Sequence, residues 1–569
     1  MLKFFDLTGE VAFFTIYPIN IPGAPVHMFS GIVTRAYKSF DHNPYGSLIV
    51  EGYSPTYLLD DKRTKTINSW YRKDIAAIIK ELTEPLQAYG TNIVVDPKNI
   101  MNTEYICQYK ETPYQFIRRI AYDFGEYLFY DGLNLCYGRP KSGPVVEMFY
   151  GTDCEHLRIG FELKAVNHSH LVYHSATDKK EIKNAPASID GLEDLAKKAY
   201  EKSRQTFTAP SVMPTPFRVS SKPELLEVAV KSHAASEAAG MYKVSGTSRR
   251  HDLKVGSVID LSTTRLEGGF QVGRESVGKF FVTRLIHKME PGEKYHNEFE
   301  AVPEGVPMLP MEDIEYPLAE AQPAVVTSNK DPEGQGRVRV KFFWSGNDAG
   351  ISDWIKVLTP DAGGSEKVSK NRGFVCIPEE GDLVMVDFRF GQPDQPFVTG
   401  SMHTGPKAGG GGEGNNLKSL SSKSGHTLTM NDGAGITLRD KSKLNHIVVD
   451  GNNTIRITAG HNITLTNGKS TVSLVGGKVS IYAAESIDIQ APSITIGSIG
   501  GEKPTVLMKS QAQTIISKAE IEMIDKAPKM NIGDAGETNL LSIACAGLID
   551  IGAKGMATIA GGEVQINKS

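Results

Sequence analysis

Residues 454–496 read TIRITAGHNITLTNGKSTVSLVGGKVSIYAAESIDIQAPSITI. The stretch holds six apolar–polar–apolar triplets: Ile455-Arg-Ile457, Ile463-Thr-Leu465, Val472-Ser-Leu474, Val479-Ser-Ile481, Ile487-Asp-Ile489 and Ile494-Thr-Ile496. Two more strand-like runs precede it, Ile436-Thr-Leu438 and Ile447-Val-Val449, the latter with an apolar middle residue, and the first apolar positions step by 11, 8, 8, 9, 7, 8 and 7. Period-two alternation of Val, Ile and Thr predicts short strands with one buried face. Gly, Asn and Asp between them supply turns. A step near eight marks a repeat and indicates a solenoid or a fibre. The twelve apolar residues of the six triplets then point to a narrow axis, and their polar neighbours face out. Two windings fit. One chain could coil as a triangle with about 24 residues per coil, or three chains could each supply one side per level. The rhythm loosens further on but persists at Ile521-Glu-Met523, Met530-Asn-Ile532, Leu541-Ser-Ile543, Ile549-Asp-Ile551 and Val564-Gln-Ile566.

Composition sets this tail apart. Of 23 Phe, 21 Tyr and 3 Trp, only Tyr482 lies beyond residue 418. Large aromatics fill wide cores, so residues 419–569 should form something thin. Before them, Gly409 to Gly412 and Gly414 make residues 406–418 a glycine-rich linker that reads as a flexible joint. Residues 320–405 alternate in short runs at Val338–Phe342, Trp354–Leu358, Gly373–Ile377 and Leu383–Phe388. Turn formers separate these runs, which predicts a small closed β-domain such as an OB-fold. Residues 1–315 are mixed. Helical spacing appears at Ser69–Leu82, Thr112–Tyr122, Gly191–Gln205 and Pro223–Ala239. Thr112 is placed as an N-cap before Pro113, with Phe116, Ile120 and Phe124 on one face. Strands are expected at Gly31–Thr34, Ser257–Leu261 and Lys279–Ile286. This front part reads as α+β, with room for two subdomains.

The 569 residues carry 62 Lys and Arg against 66 Asp and Glu, a net charge of −4. So even a balance argues against a protein built to grip nucleic acid or an anionic membrane. Five scattered cysteines, Cys107, Cys136, Cys154, Cys376 and Cys545, form no CxxC and suggest neither a disulfide framework nor a zinc knuckle. Asp6 and Glu10 interrupt the apolar N-terminal stretch, which does not read as a signal peptide. No apolar run approaches the ~18 residues of a spanning helix. The chain is expected in the cytoplasm, leaving only by an unconventional route.

Longer motifs bring these pieces together. They are Ser54-Pro-Thr-Tyr-Leu-Leu-Asp60, Gln108-Tyr-Lys-Glu-Thr-Pro-Tyr-Gln-Phe-Ile-Arg-Arg-Ile120, Leu253-Lys-Val-Gly-Ser-Val-Ile259 and Tyr295-His-Asn-Glu-Phe299 in the front. In the barrel they are Asp331-Pro-Glu-Gly-Gln-Gly-Arg-Val-Arg-Val340, Trp354–Pro360, Gly381–Phe388 and Pro393-Asp-Gln-Pro-Phe-Val-Thr-Gly-Ser401. Together they resemble VgrG, the spike family of type VI secretion systems, related to the hub and spike of contractile phage tails. The resemblance implies a mainly β chain with an α+β hub, an OB-fold domain and a C-terminal triple-stranded β-helix, a β-prism made by a homotrimer. It implies a structural puncturing role rather than an enzyme, with no cofactor and no catalytic or metal residue. The implied partners are an Hcp-type tube protein, baseplate components, a PAAR-type tip and effectors or their adaptors. The protein would assemble in the cytoplasm, cross the target membrane mechanically and be delivered into the target cell. The final strand, Val564, Gln565, Ile566, Asn567, Lys568 and Ser569, would dock the tip through its open backbone edge. The rival readings are the spike of a phage-like or extracellular contractile particle, and a single-chain β-solenoid enzyme that cleaves polysaccharide.

Chemistry-bearing patterns are sparse. No GxSxG, HExxH or P-loop occurs, and the strand pattern leaves no room for an inserted or appended enzyme. Glu379, Glu380 and Asp382 are read as a solvated turn, not an acid–base pair. His426, His446 and His461 sit at strand edges, where a corner facing water is expected over a metal on a threefold axis. Arg337, Arg339, Lys341, Phe342, Phe343 and Trp344 are read as an ordinary alternating strand, not a base-stacking face.

Overall fold

The computed structural model describes residues 6–16, 26–40, 45–98, 102–139, 145–174, 179–214, 224–267, 271–289, 294–344, 350–407 and 409–493. Ile494, Ile496, the looser repeats after residue 500 and Val564 to Ser569 lie outside the described residues. The chain divides into two compact units, 1–460 and 461–569. The described residues are mainly β.

Four helices punctuate the front of the first unit: α1 (Ile75–Thr83), α2 (Pro113–Phe124), α3 (Asp194–Thr206) and α4 (Glu224–Ala239). Helix α2 begins where the sequence places it. The Thr112 hydroxyl accepts from Gln115 N–H at 3.1 Å, and the Gln115 side chain accepts from Thr112 N–H at 3.0 Å. This reciprocal capping box satisfies two donors that would otherwise be orphaned. Helix α1 starts later than its apolar spacing suggests. Thr66–Asp74 is a strand, because it pairs antiparallel with Asn102–Glu111, and Asp74 then caps the helix through Ala77 N–H.

A six-stranded sheet runs in the order Cys154–Phe161, Tyr242–Ser248, His296–Pro303, Gln271–Lys288, Val258–Glu267, Val145–Phe149, antiparallel except for the last pair. Its buried Val244, Phe280, Val282 and Phe299 share one core with Phe116, Ile117 and Ile120 of α2 and Leu226, Ala229 and Val230 of α4. Beside it, strand His168–His174 lies between Lys179–Asn184, antiparallel, and Ser211–Pro214, parallel.

The barrel sheet runs Arg339–Phe342, Gln322–Ser328, Leu383–Phe388, Pro396–Ser401. The Trp354–Leu358 run is not a regular strand. It makes only single bridges, Ile355 to Val338 and Val357 to Val398. Nor is Gly373–Ile377, since pairing stops at Arg372–Gly373 and Phe374 and Val375 are exposed. The barrel core of Ala324, Val326, Val340, Phe342, Val384 and Val398 also takes in Tyr105, Cys107 and Tyr109 from the hub strand Asn102–Glu111. The barrel is thus not closed by its own residues. Residues 409–416 form turns, with positive φ at Gly410, Gly412 and Gly414, and Leu417 N–H donates to Gly411 C=O at 2.8 Å. Glycine adopts this left-handed backbone at no steric cost, and Asn415 joins it at φ 55°.

Within the first unit, Leu417–Ser421, Thr427–Asn431, Gly435–Arg439, His446–Val449 and Ile455–Thr458 form an antiparallel meander in sequence order. In the second unit, Asn462–Thr466, Ser470–Val475 and Lys478–Ala483 form another. Residues 484–493, with Ile487 and Ile489, are not strand. No partner strand flanks them among the described residues, and an unpaired strand leaves its backbone groups unsatisfied.

Candidate functional site

The feature that the sequence singles out is the apolar face of these strands. Leu420 pairs with Leu428, Leu428 with Leu438, Leu438 with Ile447, and Ile447 with Ile457. Beside that row, Met430 pairs with Ile436, Ile436 with Val449, and Val449 with Ile455. Two continuous apolar ladders therefore run across the sheet, and because strand side chains alternate, both lie on one face. The other face carries Thr427, Thr429, Thr437, Val448 and Arg456. The second unit repeats the design. Ile463 faces Leu474 and Leu474 faces Val479, while Leu465 faces Val472 and Val472 faces Ile481.

Register survives an irregular step. Between Gly435–Arg439 and His446–Val449 the step is 11, and Asp440 absorbs the surplus. Its carboxylate accepts from Ser442 Oγ at 2.7 Å and from the Asn445 amide at 2.9 Å, closing a compact loop.

In the single chain the apolar face is the open one. Leu438 is 53% exposed, Ile455 69% and Ile457 49%, whereas Thr429 and Thr437 opposite are half-buried. Leu465, Leu474, Val479 and Ile481 are exposed as well. Exposed apolar patches of this extent mark interaction surfaces. Within each unit, the strand residues expected to line an axis thus share one face of their sheet, and among the described residues that face stays largely exposed. Successive strands also pair with one another directly. Within each sheet the chain runs from one strand to its neighbour, unlike a one-chain triangular coil, in which each strand turns to the next side.

Several of the remaining candidates are occupied within the fold, whereas His446 Nδ1 is buried without a partner. Glu379 accepts from Asn329 at 3.1 Å and pairs with Lys423 at 2.9 Å, so it ties the barrel to the first strand hairpin. Asp382 accepts from Glu379 N–H at 2.9 Å, closing the turn. Arg337 grips Asp331 through Nε at 3.0 Å and Nη2 at 2.7 Å, and Asp331 also accepts from the N–H groups of Glu333, Gln335 and Arg337. The Arg337 guanidinium holds the Asp331 carboxyl far below the usual carboxylate range. The Asp331–Arg337 motif is therefore a turn knot. Arg339 lies over the Tyr71 ring at 4.3 Å, Phe342 is buried, and Trp344 Nε1 donates to Gln322 at 2.9 Å. Only Phe343 of that group stands fully out, at 65% exposure. His426 accepts from Lys441 N–H at 3.3 Å, and His446 lies opposite Arg439 and Thr458. Among the described residues, the histidines that do gather are His168, His170 and His233, in the hub.

Comparison with known proteins matches the barrel directly. Residues 322–403 match the family model of the type VI secretion system/phage-baseplate injector OB domain. The type VI secretion system spike protein VgrG1b of Pseudomonas aeruginosa is 30% identical over 163 residues, 26% of this chain and 21% of that protein. The chain resembles the VgrG spike proteins. The actin cross-linking toxin VgrG1 of Vibrio cholerae is 31% identical over 117 residues, 19% of this chain and 10% of that protein. A solved E. coli protein, c3393, a component of the type VI secretion system similar to bacteriophage T4 tail proteins gp27 and gp5, covers 66% of this chain and 84% of its own. That likeness has a TM-score of 0.42 and 15% identity. The chain spans about a fifth or less of the length of these curated relatives. No described helix is long and apolar enough to cross a membrane.

Proposed function

We propose that this chain is the structural puncturing spike of a type VI secretion system. The observation that carries the reading is the pair of apolar ladders left open on one face, downstream of an injector OB domain. Three such faces, packed apolar side inward, would close a dry prism. Each chain then keeps one side of the prism, and its polar Thr and Ser face out. The hub would sit on an Hcp-type tube, and the far end, at Val564 to Ser569, would take a PAAR-type tip, with effectors carried on tip or spike. No step of that function is chemical. The protein would be assembled in the cytoplasm, with baseplate components, and driven outward by a contracting sheath.

The test is the absolute mass of the undenatured full-length protein by light scattering. A species of about three times 62.0 kDa supports the prism. A monomer with the apolar face accessible to a hydrophobic dye would sink it. Because the matched family model spans both secretion systems and phage baseplates, the spike of a phage-like particle is the second reading. Loss of killing between bacteria on deletion, with genes for a type VI membrane complex nearby, separates the two.

A further inference from the structure

Two buried ring nitrogens on one hub strand have no partner, His168 Nε2 and His170 Nδ1. Both belong to one strand, His168–His174, two residues apart, so their rings share a face. That face meets helix α4, from which His233 projects. Each of the three residues offers one ring nitrogen, and the three nitrogens lie within 4.8 Å of one another. His233 Nδ1 is 3.1 Å from His170 Nε2. On its other side, His233 Nε2 is 3.1 Å from Asp123 Oδ1, and Asp123 also accepts from the Tyr316 hydroxyl at 2.6 Å. Tyr122 stacks on the His233 ring at 4.1 Å.

This is more order than a packed core requires. A carboxylate can only accept, so Asp123 fixes the proton on His233 Nε2 and leaves the Nδ1 lone pair facing His170. The His168 ring is held by the backbone carbonyls of Val230 and Val166. Buried polar atoms in native proteins are nearly always satisfied, so His168 Nε2 calls for a partner, while His170 would ligate through Nε2, the nitrogen beside His233 Nδ1. We propose that His168, His170 and His233 form a three-imidazole site for a divalent transition metal of the Zn²⁺ class, with Asp123 orienting His233. Imidazole nitrogen suits Zn²⁺, Co²⁺, Ni²⁺ and Cu²⁺ and does not suit Ca²⁺ or Mg²⁺. Zn–N bonds of ~2.0–2.1 Å place tetrahedral ligand atoms about 3.4 Å apart, close to the observed 3.1 Å pair. A modest ring rotation closes the wider pairs.

His168 as a residue is only half-buried, although its Nε2 is buried. The metal would clamp the sheet of His168–His174 to α4 and, through Asp123, to α2.

The experiment uses the full-length chain, stripped with a chelator, dialysed against Zn²⁺ and assayed by mass spectrometry for metal content. One retained metal per chain is expected, and chelation should lower the unfolding temperature. His170→Ala should abolish retention, and Asp123→Asn should weaken affinity by about 10–100-fold. Replacing His426, His446 and His461 together by Ala should change nothing. No retained metal in the wild type, or undiminished retention in His170→Ala, overturns the site. Should His170→Ala fail to fold, Co²⁺ loading of the wild type decides. Visible d–d bands of tetrahedral, nitrogen-ligated cobalt support the site, and their absence overturns it.

Discussion

The backbone N–H of Cys107 donates to Asp394 Oδ1 at 2.6 Å, joining residues 287 positions apart in the chain. Cys107 belongs to a hub strand and Asp394 to the barrel motif Pro393-Asp-Gln-Pro396. Arg119 of α2 completes the junction. It holds Glu111 through Nε at 2.8 Å and Nη2 at 2.9 Å, donates to Cys107 C=O at 2.9 Å, and lies 3.9 Å from Asp394. Arg119, Asp394 and Glu111 are all buried. One guanidinium faces two carboxylates, and it engages Glu111 with a fork.

That imbalance predicts a pH dependence. Burial, with Glu111 close by, raises the Asp394 carboxyl to about 7, against the pull of Arg119. Between its ordinary value and about 7, the folded chain holds a proton that the unfolded chain has released. Stability should therefore fall as pH rises through this window and level off above it. Asp394→Asn keeps an acceptor for Cys107 N–H and should remove the slope, which is worth at most ~2–4 kcal/mol. Urea midpoints for both proteins across the window check this. An equally steep slope in Asp394→Asn would assign it to another group.

Arg119→Met should be far more damaging. It leaves Glu111 and Asp394 buried without a cation, a loss of about 3–5 kcal/mol. The loss should appear as a lower denaturant midpoint, with hub and barrel unfolding together, since they share a core. A shift below about 1 kcal/mol would mean that water reaches the site.

Ile457→Asp tests the prism. Ile457 lies opposite Ile447 on the apolar face. Three closing chains would bury three carboxylates on a dry axis, at several kcal/mol each. The variant should fold as a monomer and fail to trimerise, as read by light scattering. Normal trimers would mean that this face points outward.

Removing Val564 to Ser569 should leave the trimer mass unchanged and abolish capture of a PAAR-type tip protein in a pull-down. Full capture by the shortened chain would move the docking site elsewhere.

What could be read from sequence was what is written locally. Helix α2 was legible because Thr112, Pro113 and Gln115 carry its start within four residues. The apolar ladders were legible because alternation and register follow from period two. Helix α1 was read too long at its start because the competing partner of Thr66–Asp74 lies some 36 residues downstream. The third barrel run, Gly373–Ile377, alternates as a strand does, yet finds no edge to join. The sharing of the barrel core with Tyr105, Cys107 and Tyr109 had no local signal at all. The hub histidines were missed, although His168-Ser-His170 already placed two rings on one strand face. The third, His233, joins them only through the packing of α4.

The direct pairing of each C-terminal strand with its neighbour in sequence also sets the order of assembly. Hairpins linked by turns of a few residues close in microseconds, and contacts so local make for fast folding. Each chain can finish its own sheet before it meets another. In the proposed prism the slow event would then be a collision between finished sheets, so the half-time of spike formation should shorten with protein concentration.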